Sequence, residues 1–93
     1  MRENTNELNI DIDDLSTDDI VYLAEQYIHH DRNKRIFLKR YIRGMTYNKI
    51  ADTELVDYNE IISIDQIKRV LKKYMLKIIK HIEVKNGHLR VVR

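Results

Sequence analysis

The stretch from residue 63 to residue 82, SIDQIKRVLKKYMLKIIKHI, has the most regular apolar pattern in the chain. Its apolar residues recur every three or four positions for about five turns, which is typical of an amphipathic helix with one buried stripe. The stripe consists of Ile64, Ile67, Val70, Leu71, Tyr74, Ile78 and Ile82. Ser63 precedes it, and a serine hydroxyl can accept a hydrogen bond from a free backbone amide of the first turn. We therefore expect a long helix that begins after Ser63 and organises the core.

Two shorter helices are expected in the first half of the chain. Ser16 and the carboxylates that follow it favour a helix start, so a first helix should extend to about His30. Its buried face should consist of Ile20, Leu23, Ala24 and Tyr27, with Val21 and Ile28 at the margin. A weak break at residues 31–33 leads to a second helix over residues 34–43, which Gly44 ends because glycine readily adopts the left-handed conformation. The packing residues of this second helix should be Ile36, Phe37, Tyr41 and Ile42.

A third helix is expected between Gly44 and the long helix. Thr46 is suited to cap it, and it should extend from Tyr47 to about Leu55. Its packing residues should be Tyr47, Ile50, Ala51 and Leu55 or Val56. Residues 57–60, DYNE, are expected to form a loop, because Asp and Asn side chains compete for backbone hydrogen bonds and favour turns.

The tail after Ile82 has two interpretations. Asn86-Gly87 could form the tight turn of a hairpin, which would place Glu83 opposite Arg90. Alternatively, Gly87 could cap a helix that continues to Lys85. The helix is slightly favoured because the apolar stripe still includes Ile82. With no proline and two glycines, the composition favours helices, and the expected fold is an all-α domain of about four helices with a short C-terminal hairpin as the alternative ending.

The size and composition of the chain restrict its class. The 93 residues suit one compact domain, with residues 1–14 as a flexible acidic arm and residues 15–93 as the folded part. The chain has no cysteine, which excludes disulfides and thiolate chemistry and favours a cytoplasmic location. It also has neither an apolar run long enough for a membrane span nor a signal-like N-terminus, so no membrane association is expected.

Charge is divided unevenly along the chain. Residues 1–30 hold one basic residue, Arg2, and eight acidic residues, whereas the rest of the chain holds 16 basic and seven acidic residues. Lys and Arg that cluster on one domain can displace counterions from phosphates, so this division favours a polyanion as the partner of the basic part. The alternative is an ordinary solvated surface, which lysine-rich helices often present.

Residues 35–71 combine several short motifs, in the order Phe37 and Tyr41, GMTY at residues 44–47, Ile50-Ala51, Ile62-Ser63, and Ile67 with Leu71. Together they resemble the helix-turn-helix of region four of bacterial sigma factors and of small phage or mobile-element regulators. The resemblance implies a transcriptional regulator whose recognition helix follows Ser63. The chain departs from the family pattern at two places. Ten residues, 52–61, separate the two pairs, which lengthens the turn, and Lys49 stands where a Glu is common.

The helix after Ser63 can also support DNA binding without the resemblance. With its apolar stripe inward, its outward side and flanks hold Asp65, Gln66, Lys68, Arg69, Lys72, Lys73 and Lys80. Side chains near the start of a recognition helix reach base edges, so Gln66 and Arg69 are the candidates for contacts with adenine and guanine. The remaining candidates are for phosphate: Lys68, Lys72 and Lys73, and the helix starts at Ser63 and Thr46.

The second helix could continue this track of phosphate contacts. Its exposed side is expected to be strongly basic, with Lys34, Arg35, Lys39, Arg40 and Arg43. Lys39, Arg40 and Arg43 are the members that would contact DNA, together with Lys49 of the third helix.

Leu76 and Ile79 lie on the polar side of the long helix, where a solitary domain has no reason to place aliphatic side chains. We expect a partner to cover them, with a second copy of the chain as the first choice, since paired helix-turn-helix units suit two-fold operators. The alternative is that the first helix or the tail folds over them.

Two other functions remain open: an adaptor whose acidic N-terminal part contacts RNA polymerase, and a phage DNA-packaging subunit. A metal site is not expected, because the adjacent residues His29 and His30 would point in different directions on a helix. The sequence has neither a glycine-rich phosphate loop nor a nucleophile-elbow motif, so we expect neither an enzyme nor a cofactor.

Overall fold

Four helices and a C-terminal hairpin follow one another in the computed structural model, which describes residues 11–93. The helices are α1 (Thr17–Tyr27), α2 (Asp31–Tyr41), α3 (Tyr47–Tyr58) and α4 (Ile64–Ile78), and the strands are β1 (Ile82–Lys85) and β2 (His88–Val91). Short 3-10 turns at Ile12–Asp14 and Ile79–His81 precede α1 and follow α4. The expected fold class, a small helical domain of about four helices, is confirmed.

Helix α4 lies at the centre of the packing, in contact with α1, α2 and α3. Five residues of the predicted stripe are buried, whereas two, Ile64 and Val70, are only partly buried. The buried core extends over all four helices and includes Ile20, Leu23, Ala24, Ile28, Ile36, Phe37, Ile50, Ile67, Leu71, Tyr74 and Ile78. Each fully buried aliphatic side chain of this kind contributes roughly 1.5–3 kcal/mol, so the periodic apolar faces are the main stabilising feature of the domain.

Side-chain caps begin three of the helices where the sequence predicts them. The hydroxyls of Ser16, Thr46 and Ser63 accept hydrogen bonds from backbone amides three residues later, at 3.1 Å in each case. At Ser63 the cap is reciprocal, because the side-chain oxygen of Gln66 accepts a hydrogen bond from the Ser63 amide at 2.9 Å. This capping box satisfies two amides that a helix start otherwise leaves free, and it fixes the beginning of α4.

The boundary between α1 and α2 differs from the prediction. Helix α1 ends at Tyr27 rather than at His30, and α2 begins at Asp31 rather than at residue 34. The predicted break is therefore the first turn of α2, and the actual break lies just before it. Asn33 explains part of this difference, because it is buried and its amide nitrogen lies 3.5 Å from the hydroxyl of Tyr74 in α4. Gly44 adopts the left-handed conformation predicted for it, with φ of 65°, three residues after α2 ends.

Helix α3 is longer than predicted and extends to Tyr58. The expectation that residues 57–60 form a loop is wrong for residues 57 and 58, since the left-handed residue that ends the helix is Asn59, with φ of 55°. A long-range contact accompanies the extra turn, because the guanidinium of Arg35 in α2 lies 3.7 Å from the centre of the Tyr58 ring. Much of the additional sequence between the two motif pairs is therefore helix, and the connection from α3 to α4 is short.

The chain ends in a hairpin and not in the favoured extension of the helix to Lys85. Strands β1 and β2 are antiparallel, and Glu83 lies opposite Arg90, as the hairpin alternative predicts. Asn86 and Gly87 both have positive φ values, 54° and 77°, which is the requirement of the two-residue turn that matches strand twist. Ile82 leaves the helix but stays buried as the first residue of β1. A buried apolar residue at position 82 is therefore compatible with both the helix and the hairpin.

The N-terminal part of the domain begins earlier than residue 15. Asp11 caps the first 3-10 turn by accepting a hydrogen bond from the Asp13 amide at 3.0 Å, and Ile12 is buried in the core. The rest of the expected acidic arm, residues 1–10, lies outside the described residues. Among residues 11–93, no helix combines the length and apolar character that crossing a bilayer requires.

Candidate nucleic-acid interface

The outward side of α4 is rich in cations. Six basic residues of α4 and of the turn after it are exposed: Lys68, Arg69, Lys72, Lys73, Lys77 and Lys80. The ion pairs among residues 11–93 involve Asp19, Glu25, Glu54 and Glu83, and none of them includes one of these six cations. The row extends over about 20 Å of helix at 1.5 Å per residue. We call the surface that these six residues define the α4 cationic face.

Gln66 and Arg69, the two residues predicted to contact bases, differ in whether the side chain already makes a hydrogen bond within the described protein. Arg69 is exposed, and its position on the α4 cationic face is the one that the helical period predicts. Gln66 is also exposed, but its side-chain oxygen is engaged in the capping box with Ser63. Recognition of adenine by glutamine needs both the oxygen and the nitrogen of the amide. A base contact by Gln66 would therefore cost the capping box, which makes Arg69 the stronger candidate.

Tyr47 connects the start of α3 to the α4 cationic face. The ammonium of Lys68 lies 5.5 Å from the centre of its ring, and the guanidinium of Arg40 lies 4.5 Å from the same centre. Arg40 also donates a hydrogen bond to the carbonyl of Met45 at 3.0 Å, which holds it at the end of α2. Two of the predicted phosphate-contacting residues, Arg40 and Lys68, are thus brought together around one aromatic ring.

The other predicted members of the phosphate track lie at different places. Arg43 and Lys49 are exposed, at the end of α2 and in the first turn of α3 respectively. Thr46 caps α3, and Ser63 caps α4. Lys72 and Lys73 are exposed on α4, and the ammonium of Lys73 lies 5.3 Å from the centre of the Tyr74 ring. No structural feature removes these residues from solvent.

Lys39 is not on the exposed basic side of α2, where the sequence analysis placed it. Its side chain is buried, donating hydrogen bonds to Glu54 at 2.7 Å and to the Thr53 hydroxyl at 2.9 Å. Arg35 is also bound to Glu54, and Lys34 is paired with Glu25. The prediction that this side of α2 is exposed is therefore wrong for Lys39, and Lys34, Arg35 and Arg40 are only partly exposed. A helical period cannot show which outward cations a neighbouring helix will neutralise.

Glu54 is a buried, ion-paired carboxylate that the sequence analysis did not identify. Its carboxylate is fully buried between α2 and α3, where it accepts two hydrogen bonds from Arg35, at 2.7 and 3.2 Å, and one from Lys39. Burial raises the pKa of this carboxyl, but the hydrogen bonds and charges of Arg35 and Lys39 outweigh burial and hold the pKa below its ordinary value. The same contact raises the pKa of Arg35. We infer a structural role, in which Glu54 fixes α3 on α2.

Leu76 and Ile79 have different surroundings. Leu76 remains 56% exposed, so among the described residues neither α1 nor the tail covers it, and that alternative is wrong for Leu76. Ile79 is half-buried. Leu76 borders a groove of about 360 Å³ between the end of α2, the start of α3 and α4, whose lining residues are Tyr41, Tyr47, Lys68, Leu71, Lys72, Met75 and Leu76. We call it the α2–α4 groove.

Potential metal ligands do not assemble in the part of the chain that the structure describes, where no three His, Asp or Glu side chains are close enough to hold an ion. His29 and His30 lie in the break between α1 and α2. His81 stacks on Tyr27 with ring centres 3.9 Å apart, so its ring packs the turn after α4 against α1.

Comparisons with known proteins provide no family for the chain. No family model matches it, and no curated protein or solved structure has significant similarity to it. The candidate interface therefore depends on the chain's own residues.

Proposed function

We propose that this protein binds duplex DNA through the α4 cationic face, as a sequence-specific transcriptional regulator of the cytoplasm. The observation that supports the proposal is the row of six exposed cations, which no carboxylate among residues 11–93 neutralises. Exposed cations along one helix are complementary to the phosphates that border a major groove. The rigid attachment of α3 through Glu54, and of α4 through the core, gives the face a fixed orientation.

The phosphate contacts would provide affinity. Lys68, Lys72 and Lys73 are exposed on α4, and Arg40 and Arg43 place further positive charge at the end of α2. If about five of these cations contact phosphates, the logarithm of the binding constant should fall with the logarithm of salt concentration with a slope of about −4.5. That slope corresponds to about a 500-fold loss of affinity between about 50 and 200 mM salt.

Sequence selectivity would depend mainly on Arg69. Its guanidinium can donate two hydrogen bonds to the O6 and N7 atoms of guanine, an arrangement worth about 1–3 kcal/mol against a wrong base. The capping box holds the first turn of α4 in place, so Arg69 projects from an ordered helix. Gln66 contributes to selectivity only where DNA binding displaces its hydrogen bond to Ser63.

The test is DNA binding measured by fluorescence anisotropy with a labelled random duplex at several salt concentrations. We expect Lys72→Ala/Lys73→Ala to reduce the magnitude of the salt slope by about two and to weaken binding to every sequence. The matched control is Lys85→Ala/Arg90→Ala, which removes the same number of charges from the hairpin. Equal effects of the two double variants would contradict a specific role for the α4 cationic face.

A selection from random duplexes tests the regulator assignment separately. The wild-type protein should enrich a short motif, and Arg69→Ala should lose the preference at one guanine while it keeps most of its affinity for random duplex. Binding without any enriched motif would instead favour a structural DNA-binding role.

A further inference from the structure

The α2–α4 groove is lined by both apolar and cationic side chains. Leu71, Met75 and Leu76 of α4 are its aliphatic lining residues, and Leu76 is 56% exposed. Lys68 and Lys72 line the same groove and are also exposed. Because an apolar surface lies next to two positive charges, a matching occupant should supply both apolar side chains and carboxylates.

The cations and the exposed leucine have a regular spacing along α4. Lys68, Lys72 and Leu76 follow one another at intervals of four residues, so they lie on one side of the helix, about 6 Å apart along its axis. A second helix that packs alongside α4 repeats its own side chains at the same interval. Two carboxylates four residues apart on such a helix can therefore meet Lys68 and Lys72 together. Apolar side chains one turn further along it can meet Leu76.

Both lysines can accept a carboxylate from another molecule. The ammonium of Lys68 lies 5.5 Å from the centre of the Tyr47 ring, and Tyr47 itself lines the groove. The ion pairs within residues 11–93 include neither Lys68 nor Lys72. The positive charge at the groove is therefore not neutralised by a carboxylate of the described chain.

A second copy of this chain is a poor occupant. Leu76 has exposed lysines one turn away on either side, Lys72 and Lys73 before it and Lys80 after it. Asp65, the acidic residue of α4, lies about three turns from Leu76. Two-fold packing through Leu76 would therefore bring the lysines of one copy towards those of the other, and like charges that face one another across an interface are strongly unfavourable. Charge thus disfavours the homodimer expected from sequence and favours an acidic partner.

We propose that the α2–α4 groove binds a helical segment of another protein, which carries two carboxylates four residues apart beside a cluster of bulky apolar side chains. The carboxylates pair with Lys68 and Lys72, and the apolar side chains cover Leu71, Met75 and Leu76. This is recognition of a helix in a groove, where apolar anchors provide affinity and charges set the register. Such binding does not require that the protein also binds DNA.

One consequence rests on the proposed function. Lys68 and Lys72 cannot contact phosphates and the acidic helix at the same time, so the two ligands should compete. With complete competition, the apparent Kd for duplex DNA should rise about tenfold when the free helix is present at about nine times its own Kd. An acidic partner would thus release the protein from DNA.

The direct test is a selection of helical peptides, displayed on phage with randomised surface positions, against the immobilised full-length protein. We expect the enriched peptides to share two acidic residues four positions apart next to bulky apolar residues. On titration with such a peptide, the NMR signals of the methyl groups of Leu71, Met75 and Leu76 should shift, whereas those of Val56 should not. Failure to enrich any peptide, or enrichment of acidic peptides without apolar residues, would overturn the proposal.

Charge reversal tests the pairing with the two lysines. Lys68→Glu/Lys72→Glu should weaken binding of the selected peptide at least about tenfold, and replacement of the peptide's two acids by lysines should restore it. The matched control is Lys73→Glu/Lys77→Glu, which makes the same change of charge at residues whose ammonium groups lie beside the Tyr74 ring. Equal weakening by the two double variants, or no rescue, would contradict the pairing.

The apolar contact is tested at an exposed residue, where a substitution has little effect on folding. Leu76→Ser should weaken binding of the same peptide about tenfold. The control is Val56→Ser in α3, which also removes an exposed aliphatic side chain but lies outside the groove. Binding that tolerates Leu76→Ser as well as Val56→Ser would show that the groove is not the site.

The remaining outcomes involve other occupants. A dimer of the protein alone that Leu76→Ser dissociates, measured by sedimentation, would assign the groove to self-association and refute the proposal. Shifts of the Met75 and Leu76 methyl signals with duplex DNA, as large as those with the peptide, would assign it to the DNA interface instead. Peptide binding by a protein that does not bind DNA would reject only the proposed function, and DNA binding without a selected peptide would reject only the groove assignment.

Discussion

The buried carboxylate of Glu54 makes a quantitative prediction about stability. The conservative change Glu54→Gln keeps the size of the side chain but leaves Arg35 and Lys39 without a charged partner. Lys39 is almost completely buried and Arg35 is only 25% exposed at its side chain, so water can replace the lost contact only in part. Removal of one partner from a buried ion pair costs about 3–5 kcal/mol in general. The partial exposure of Arg35 places our expectation at the lower end, about 3 kcal/mol.

Urea unfolding followed by circular dichroism measures this cost. The matched control is Glu25→Gln, because Glu25 also pairs with a lysine of α2 but its side chain is 56% exposed. Exposed pairs of this kind contribute about 0–1 kcal/mol, so the control should change the free energy of unfolding little. If Glu54→Gln cost no more than Glu25→Gln, the inference that Glu54 fixes α3 on α2 would be refuted.

Three further predictions concern acid, the α4 cap and the hairpin. The pKa of Glu54 is lower in the folded protein than in the unfolded chain. Its contribution to the free energy of unfolding is therefore complete above the ordinary pKa of about 4.3 and is lost as the pH falls through the folded-state pKa. Acid titration should therefore destabilise the wild-type protein more than Glu54→Gln. Ser63→Ala should cost about 1 kcal/mol in thermal or urea unfolding, whereas Ile61→Ala, at a residue 87% exposed, should cost much less, and equal costs would argue against the capping box. Gly87→Ala should destabilise by about 1–2 kcal/mol because of its φ of 77°, although no atom would clash with the added methyl, and an unchanged melting temperature would contradict this reasoning.

The sequence predicted the features that depend on local pattern. The apolar period after Ser63 identified α4 and most of its buried face, and hydroxyl residues identified the starts of α1, α3 and α4. The Ser63-Gln66 spacing is itself a capping-box motif, so that contact could have been predicted from the residues alone.

Long-range contacts accompany three of the predictions that were wrong, those of the start of α2, the end of α3 and the exposure of Lys39. Asn33 lies in the first turn of α2 and contacts Tyr74 of α4. Tyr58 is the last residue of α3, and its ring lies against the guanidinium of Arg35. Lys39 is buried because α3 places Glu54 opposite it. These partners are 15 to 41 residues apart in sequence, and a one-dimensional period does not show which pairs will meet. The DNA-contact residues remain predictions, since their role depends on a partner.

Binding of duplex DNA to the α4 cationic face can be located by an NMR titration of the isotope-labelled protein with a short duplex. We expect the largest changes in amide chemical shift at Lys68, Arg69 and Lys72 and at the start of α3. Changes that are absent, or that are largest on α1 and the hairpin, would contradict this expectation.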